Sequence, residues 1–584
     1  MNIRLLKLYS EPQVFDPINF DPGVNLILGE KVNEGSVATK KDRKTNGVGK
    51  SVCVEFINFC LLKEYTSSRV YNVPSEKFPE DARIMLDLII NEKQITIIRT
   101  KKDFDKPIII FDTKEINFSN LKDAQEFLTN LYFPSGQATP ISFRELMGPI
   151  IRDEDCEFQN ILHCYDTKLR IGTPDLAKPH LYFFGIDVSL VDRIKKLFKK
   201  IEDSKTVISS LEKDLTKNKQ IKISDVKAEI NSLTDQLEKI SSALDSFKTE
   251  AAYGAVQDDL VDIQNKLDKL RTEQSAIKYE IRRIESLPKI EHIQKNEIEI
   301  VYNQFKEGLG DLVSKSLDEV HEFKMKIDEF QSKLLDEKYE TLKKELDDVT
   351  LQIRELDQSK SKILKTIDER GIIKDLQNGI KIYEQKNNVF AGIKLKLNDY
   401  EEHKLELSNQ KHNKGDYFLK LSASIVEARK IIESFNQTIL EIHEFIMGTK
   451  KASFDIKTIE SNTNKQIVDF EYRIDDDGSH SVDRTKVFIY DIALMFNDET
   501  RKRHPKMLIH DNIFDVDQDT LVQSLNYLAE QEEKYSDFQY ILTLNRDKIE
   551  NEERLKMIKL NIESHKKAQF TRQKKFLKTD YQEL

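Results

Sequence analysis

The sequence contains few turn-forming residues and few cysteines. Its 584 residues include only 18 glycines, 13 prolines and 4 cysteines, and there is no tryptophan. Collagen, low-complexity disorder and all-β repeat arrays require glycine, proline or linker residues in quantity, so these classes are excluded. Cys53, Cys60, Cys156 and Cys164 are too few for a disulfide framework and form no C-x-x-C pair for zinc, and we expect them to be neutral thiols in the core.

Long apolar runs and an excess of positive charge are also missing. No stretch approaches eighteen consecutive apolar residues, and the N-terminus lacks the layout of a signal peptide, so we expect a cytoplasmic protein with no membrane partner. Lys and Arg number 92 and Asp and Glu number 102, which gives a net charge of −10 and excludes a uniformly basic nucleic-acid-binding surface. A local basic patch is still compatible with this balance.

Charged residues are abundant, at 33% of the chain against 39% hydrophobic residues, which favours elongated helices that bury a single apolar stripe. Apolar residues recur at steps of three and four from about 197 to 284, with a break near Gly254, and again from 335 to 367. These heptads predict an antiparallel coiled coil with an outgoing arm at 191–287, a tip at 288–334 and a returning arm at 335–430. A parallel coiled-coil dimer or an ordinary helical bundle is the alternative, because heptads do not fix helix direction.

The two flanking regions, 1–190 and 431–584, both have α/β patterns. Short apolar or alternating runs predict strands, and one clear helix spans Ser51–Leu62. Helices are also expected near 485–497 and 518–532. The predicted strands are 3–9, 24–28, 82–90, 94–99, 108–111, 453–459, 466–474, 507–510 and 540–544. Because neither flank is a complete nucleotide-binding fold, we predict one α/β ATPase head assembled from the N- and C-terminal halves.

The strongest local motif is a phosphate-binding loop. An apolar strand ending at Gly29 is followed by the sequence NGVGKS at 46–51 and by an apolar helix, an order that places backbone N–H groups around phosphate oxygens. Position 44 is lysine where the standard motif has its first glycine, so we interpret Gly29 as the displaced glycine and residues 30–45 as an insertion. The alternative is a glycine turn that only caps a helix. The predicted ATP-binding residues here are Gly29, Asn46, Gly47, Val48, Gly49, Lys50 and Ser51.

A metal-binding carboxylate should lie at the end of a neighbouring strand. The apolar run 507–510 ends at Asp511, which with the Ser51 hydroxyl is the predicted Mg²⁺ site. Asp515 and Asp517 follow in a loop, and a further apolar strand ends at Asn545. This order of strand, acidic loop, helix and strand is how ATP-cassette heads run, and it predicts ATP and Mg²⁺ as the cofactors.

Taken together, these motifs resemble the structural-maintenance-of-chromosomes (SMC) class of ATPases and their RecN and RecF relatives. The greatest similarity is to a bacterial branch whose C-terminal region is a domain of unknown function. The segments that carry the resemblance are 46–51, 141–144, 151–153, 308–320, 487–494 and 510–515. The resemblance implies a homodimer whose heads engage around ATP and move the coiled-coil arms. It also implies DNA as the object sensed or clamped, and a separately encoded effector such as a nuclease in phage or plasmid defence.

Several positions depart from the SMC pattern. Asn512 stands where the water-polarising glutamate is expected, and an amide cannot accept a proton, so we expect ATP hydrolysis to be slow or to use another group as the base. The signature motif is reduced to GSHSVDR at 478–484, which leaves Ser479 and Ser481 as candidates to contact the γ-phosphate. Arg152, near the expected Q-loop, either faces phosphate or forms a plain salt bridge. The candidates to position or activate water are Asn512, Asp515, Asp517 and Asn545.

The object on which the arms act is open at this level. Basic residues at 40–44 and along 556–578 favour DNA, although the second run is also typical of a solvated terminal helix. The acidic net charge favours an ATP-dependent structural protein that docks a protein partner without contacting DNA.

Overall fold

The computed structural model describes residues 2–31, 47–133, 141–165, 173–247, 257–285, 317–365, 372–459, 466–475, 480–549 and 555–579. Within these residues the chain divides into two compact units. The first, which we call the head, contains residues up to 196 and from 415 onward. The second, the helical unit, contains residues 197–285 and 317–414.

Thirteen strands are present among the described residues, all of them in the head. They are β1 (Ile3–Glu11), β2 (Ile18–Asn19), β3 (Gly23–Gly29), β4 (Arg83–Ile90), β5 (Lys93–Arg99), β6 (Ile108–Phe111), β7 (Lys114–Asn117), β8 (Ile151–Arg152), β9 (Ser453–Thr458), β10 (Val468–Arg473), β11 (Met507–Asp511), β12 (Gln539–Asn545) and β13 (Lys566–Phe570). The predicted strands are all found, whereas β2, β7, β8 and β13 have no counterpart in the sequence prediction.

The described helices range from one turn to 56 residues. They are α1 (Lys50–Cys60), α2 (Arg69–Asn72), α3 (Leu121–Tyr132), α4 (Phe143–Ile150), α5 (Thr173–Phe183), α6 (Ser189–Leu215), α7 (Ile223–Phe247), α8 (Gln257–Glu285), α9 (Leu317–Lys365), α10 (Ile372–Glu427), α11 (Arg429–Met447), α12 (His480–Phe496), α13 (Gln518–Lys534) and α14 (Ile562–His565). None of these helices combines the length and the apolar character needed to cross a membrane.

The central sheet of the head is parallel and combines strands from both ends of the chain. Its order is β13-β3-β12-β11-β8, and the register pairs Gly29 with Asn545 and Asp511 with Thr543. Every residue of β3, β11 and β12 is buried, as expected for the middle of a parallel sheet covered on both faces. The predicted α/β head built from two halves is therefore confirmed.

A six-stranded antiparallel sheet, β2-β1-β4-β5-β6-β7, and a short β9-β10 hairpin complete the strands of the head. All four cysteines are free and buried, as expected for core thiols. Burial raises the pKa of the Cys60 and Cys164 thiols to about 12, so both are neutral at physiological pH.

Helices α8 and α9 of the helical unit form an antiparallel pair. Gln274 donates a hydrogen bond to Thr350 at 2.8 Å, and Lys360 donates to Gln264 at 2.6 Å, so residue numbers rise on one helix as they fall on the other. Their shared core contains Leu267, Ile277, Ile281, Val349 and Ile353. The predicted antiparallel pairing of two heptad blocks within one chain is confirmed for these helices.

The course of the chain through the helical unit differs from the predicted single outgoing and returning arms. Helix α7 is antiparallel to α10, because Lys227 bonds Glu401 and Gln236 contacts Lys386. Helix α8 is instead parallel to α10, through Ser275 with Asn388 at 2.7 Å and Tyr279 with Asp399 at 2.9 Å. The chain therefore reverses direction between α7 and α8, near the predicted break at Gly254, and α7 and α9 run opposite to α8 and α10. Residues 317–334, which were predicted to be part of the tip, belong to α9.

Candidate nucleotide-binding site

The glycine loop between β3 and α1 has the backbone that a phosphate-binding loop requires. Gly47 and Gly49 have φ values of 70° and 101°, a region that side chains with a Cβ rarely adopt. A Cβ at Gly49 would also lie 2.7 Å from the Cβ of Phe576. Helix α1 begins at Lys50, so its unpaired N–H groups face the loop, where an anion would be stabilised.

Lys50 reaches from the start of α1 to the end of the neighbouring strand β12. Its Nζ donates a hydrogen bond to Oδ1 of Asn545 at 2.6 Å, and its side chain is buried. Burial lowers the pKa of Lys50, while the carboxylates of Asp511, Glu154 and Asp547 act in the opposite direction. The structure thus brings together two of the predicted site residues, Lys50 and Asn545, that are far apart in sequence.

Asp511 ends β11 beside the loop and is fully buried. Thr543 donates a hydrogen bond to its Oδ1 at 2.5 Å, and the Ser51 side chain is also hydrogen-bonded to the carboxylate. The other oxygen, Oδ2, is buried without a hydrogen-bond partner in the described part of the chain. Burial, together with the nearby carboxylates of Glu154 and Asp153, raises the pKa of Asp511 to about 7.

The orphaned oxygen of Asp511 and the hydroxyl of Ser51 fit a magnesium ion. Mg²⁺ prefers oxygen ligands and is commonly held by one or two protein groups together with the phosphates of a substrate. When bound, the ion would neutralise phosphate charge, and Asp511 and Ser51 are the residues that would hold it. Among the described residues no cluster of three or more His, Cys, Asp or Glu side chains offers a different metal site.

Asn512, the next residue, is held by three hydrogen bonds. It has a left-handed backbone with a φ of 60°, which asparagine tolerates better than most residues. Its N–H donates to the Thr543 hydroxyl at 2.9 Å, and its carbonyl accepts from Arg484 at 2.8 Å. Its side-chain Nδ2 donates to Oε1 of Glu154 at 2.8 Å.

Glu154 is a site residue that the sequence reasoning missed. It lies in a 3₁₀ turn, Glu154–Cys156, directly after the short strand β8, which pairs with β11. Only this pairing brings residue 154 beside residue 512. The carboxylate of Glu154 therefore lies next to Asn512.

Lys50, Ser51, Glu154 and Asn512 line a cleft of about 370 Å³. This volume lies at the lower end of the range for small-molecule sites, which runs from about 300 to 1,000 Å³. The residues that line the cleft are Gly47, Val48, Gly49, Lys50, Ser51, Val52, Arg69, Glu154, Asn512, Lys575, Phe576, Leu577 and Thr579.

Arg152 does not line this cleft, so of its two predicted roles the structure contradicts the contact with phosphate and shows the salt bridge, which is buried and not on the surface. Its side chain is fully buried and its Nε lies 2.6 Å from Oδ2 of Asp491. It also donates to the Ile161 carbonyl at 2.6 Å, and His510 bonds the same Asp491 oxygen at 3.0 Å. Burial alone would raise the pKa of Asp491, but Arg152 and His510 hold this pKa below its usual value. Arg152 is thus part of a buried ion pair.

The remaining predicted residues lie at or beyond the edge of the described site. Asp517 caps α13 by accepting from the N–H and hydroxyl of Thr520, and Asp515 pairs with Lys548 at 3.1 Å. Neither carboxylate lines the cleft. Gly29 ends β3 and precedes the loop. Asn46 and Ser479 lie outside the described residues, as does the side chain of Ser481 at the start of α12.

The strand order and the geometry of Lys50, Ser51 and Asp511 are those of a P-loop nucleotide-binding fold. Residues 2–244 match the family model of an AAA domain, and residues 439–581 match a family described as an uncharacterised protein conserved in bacteria (DUF2326). These two matches confirm the predicted combination of an N-terminal ATPase-type domain with a C-terminal domain of unknown function. No curated protein matches the chain.

Two solved structures align with most of the chain. One is the Smc head domain with a coiled coil and joint from Pyrococcus yayanosii, with 13% identity, a TM-score of 0.32, and coverage of 93% of this chain and 92% of that one. The other is the Smc head domain with an extended coiled coil bound to the C-terminal domain of ScpA from Pyrococcus furiosus, with 10% identity, a TM-score of 0.31, and coverage of 94% and 90%. At these scores the fold assignment depends on the strand order instead.

Proposed function

We propose that the protein is an SMC-like ATP-binding protein whose heads form a homodimer around ATP and Mg²⁺ and thereby move the helical unit. The observation that carries this proposal is that Lys50 and Ser51 line one cleft, while Asp511 is hydrogen-bonded to Ser51 and Asn545 to Lys50 from the other end of the chain. A cation, a hydroxyl and an orphaned carboxylate oxygen are the groups that a nucleotide triphosphate with its metal requires.

Titration of the protein with a fluorescent ATP analogue tests this assignment. Lys50→Ala should abolish measurable binding, because it removes the charge that faces the β- and γ-phosphates. Lys178→Ala is a matched control, since Lys178 is also a largely buried lysine of the head, ion-paired with Glu145 at 2.9 Å and outside the cleft. Equal ATP affinity in wild type and Lys50→Ala would refute the P-loop assignment.

Glu154 is the best-placed group to accept the proton of attacking water. It is a carboxylate that lines the cleft, and it lies 2.8 Å from the amide of Asn512. Asn512 and Asn545 would position the water, whereas Asp515 and Asp517 do not line this cleft and could act only across the interface of two heads. We propose slow hydrolysis, because the base acts from an element other than the strand end that carries Asp511.

Resemblance to SMC-like ATPases suggests that DNA is the object clamped and that a separately encoded effector, such as a nuclease, reads the state of the heads in phage or plasmid defence. Binding of duplex DNA with ATP present should weaken steeply as salt rises, because phosphate contacts release counterions. Binding that is absent at low salt would exclude direct DNA contact.

A second candidate is an ATP-dependent structural protein that docks a protein partner through its helices. The position of the C-terminal basic run favours it, because Lys574 and Lys578 bond Asp16 and Lys575 faces the nucleotide cleft. These lysines are therefore engaged within the head. Co-purification with the product of a neighbouring gene, without DNA binding, is the result expected of this candidate.

A further inference from the structure

The C-terminal segment 571–579 lies against the phosphate-binding loop. It follows β13, an edge strand that runs parallel to β3 and pairs Phe570 with Gly29. The N–H of Glu30 donates to the Phe570 carbonyl at 2.8 Å. The segment therefore leaves the sheet beside the C-terminal end of β3, the strand that precedes the phosphate-binding loop. It is not the terminal helix that its basic composition suggested.

Phe576 anchors the segment. Its N–H donates to the carbonyl of Val48 at 3.2 Å, so the backbone of the segment is bonded to the loop itself. Its ring is 2% exposed and lies 4.6 Å from the ring of Phe15 and 5.3 Å from that of Phe56, between centroids. The close approach of Phe576 is also what leaves no room for a Cβ at Gly49. Loop and segment therefore fit each other specifically.

The lysines of the segment fall into two groups according to what their side chains contact. Lys574 and Lys578 contact Asp16 at 3.4 and 2.9 Å and are largely exposed. Lys575 instead lines the cleft, together with Thr579. The Arg572 guanidinium lies 3.4 Å from the point where a Cβ of Gly47 would be.

We propose that Lys575 is a second cation for the phosphates of the bound nucleotide, presented by the C-terminal segment. This inference rests on the proposed function. Lys50 and a metal ion leave part of the charge of a triphosphate uncompensated, and Lys575, which lines the same cleft, carries an ammonium group that can bond it. Because the contact depends on charge, its contribution increases from the monophosphate to the triphosphate. The segment thus becomes part of the nucleotide site, although it lies more than 500 residues after the loop.

The test compares the affinities of the full-length protein for AMP, ADP and ATP, each with Mg²⁺. Lys575→Ala should weaken ATP binding roughly tenfold and AMP binding hardly at all, the effect expected from loss of one charge-assisted hydrogen bond at a partly exposed site. Lys575→Arg should restore most of the loss. Lys574→Ala is the matched control. It also removes one positive charge, at the neighbouring residue, but the side chain of Lys574 contacts Asp16. Melting temperatures of all variants should stay within the range of the wild type.

An equal effect of Lys575→Ala and Lys574→Ala on ATP affinity would overturn the inference, as would an equal loss for AMP and ATP. If a fall in melting temperature accompanies Lys575→Ala, then Lys575→Gln, which keeps the length of the side chain, must show the same graded loss or the inference fails. Wild type that binds no nucleotide at all would contradict the proposed function itself. Tight wild-type binding that Lys575→Ala leaves unchanged would contradict this inference alone.

Discussion

Asp491 and Asp511 are both completely buried in the head, yet their surroundings differ. Asp491 on α12 has Arg152 at 2.6 Å and His510 at 3.0 Å, and its pKa is lowered. Asp511 on β11 is hydrogen-bonded by two hydroxyls and lies near other carboxylates, and burial raises its pKa to about 7 although the Lys50 ammonium is also close. A buried charge that is ion-paired within the protein is compensated there, whereas one that is not ion-paired fits a cation from outside.

The largest expected effect concerns Asp511. Asp511→Asn should abolish Mg²⁺-dependent ATP hydrolysis, because the strand-end carboxylate that is bonded to Ser51 is lost. The same change should raise the melting temperature of the nucleotide-free protein above pH 7, since an unpaired buried charge is removed. Phosphate release and thermal melts measure the two effects. Asp537→Asn, which breaks a surface ion pair with Lys506, should leave hydrolysis intact. Loss of both stability and activity in Asp511→Asn would place Asp511 with Asp491 as a structural residue.

The next effect concerns the base. Glu154→Gln should lower the hydrolysis rate by about 10²- to 10⁴-fold, because an amide cannot take the proton of water. ATP affinity should change little, so the rate at saturating ATP is the quantity to measure. Glu157→Gln, an exposed glutamate three residues on, is the control and should be silent. If Glu154→Gln leaves the hydrolysis rate unchanged, the general base is not Glu154, and Asp515 or Asp517 of a partner head would be the candidate.

Removing a counter-charge from Asp491 should destabilise the protein without a specific effect on the site. Arg152→Met should lower the free energy of unfolding of the head by about 3–5 kcal/mol, because the Asp491 carboxylate keeps only His510. The double variant Arg152→Met with Asp491→Leu should recover most of this loss, since no buried charge is left. Urea denaturation gives both values. A double variant as unstable as the single one would show that packing, not charge, explains the role of Arg152.

The smallest effect is a pH dependence of metal binding. The pKa of Asp511 is about 7 before a metal binds, so below that pH a proton must be displaced and the affinity for Mg²⁺ should fall by roughly tenfold per pH unit. Glu154 and Asp153 raise this pKa, while the hydrogen bonds from Thr543 and Ser51 lower it. Calorimetric titration with Mg²⁺ and ADP between pH 6 and 8 measures the slope. In Asp511→Asn the nucleotide still changes its protonation with pH, so this variant supplies the baseline slope. An equal slope in wild type and variant would show that Asp511 does not bind the metal.

Asp511 and Asp491 should change the stability of the protein in opposite directions as the pH rises. Because the folded pKa of Asp511 lies above its unfolded value near 3.8, the nucleotide-free protein loses stability relative to Asp511→Asn as pH rises from about 4 to 7. Asp491, whose folded pKa is lowered, contributes stability that is lost as pH falls through that lowered value.

Those parts of the head that depend on local pattern could be predicted from sequence. Continuous apolar runs gave β3, β11 and β12, and the glycines with Lys50 indicated the loop, because both signals are contained within about ten residues. The role of Glu154 could not be predicted, because it depends on the two-residue strand β8 pairing with β11. Arg152 was ambiguous for the same reason, since its burial against Asp491 arises only when α12 packs on the sheet.

In the helical unit the heptads indicated which faces are buried but not the direction of each helix. The segment around Gly254 was interpreted as a bend, although α7 and α8 contact α10 in opposite directions. A reversal and a bend interrupt the apolar periodicity in the same way, so that the sequence pattern does not distinguish them.

The split of the central sheet between the two ends of the chain has a consequence during synthesis. Lys50 leaves the ribosome roughly 500 residues before Asn545, which at about 5–20 residues per second is a delay on the order of 25–100 s. Throughout this interval β3 and α1 lack β12 and β11, the strands that bury one side of them, while the helices in between can already pair locally. A nascent chain that stalls before residue 511 therefore exposes apolar strand edges and holds no complete nucleotide site, which makes the early N-terminal half a substrate for chaperones and proteases.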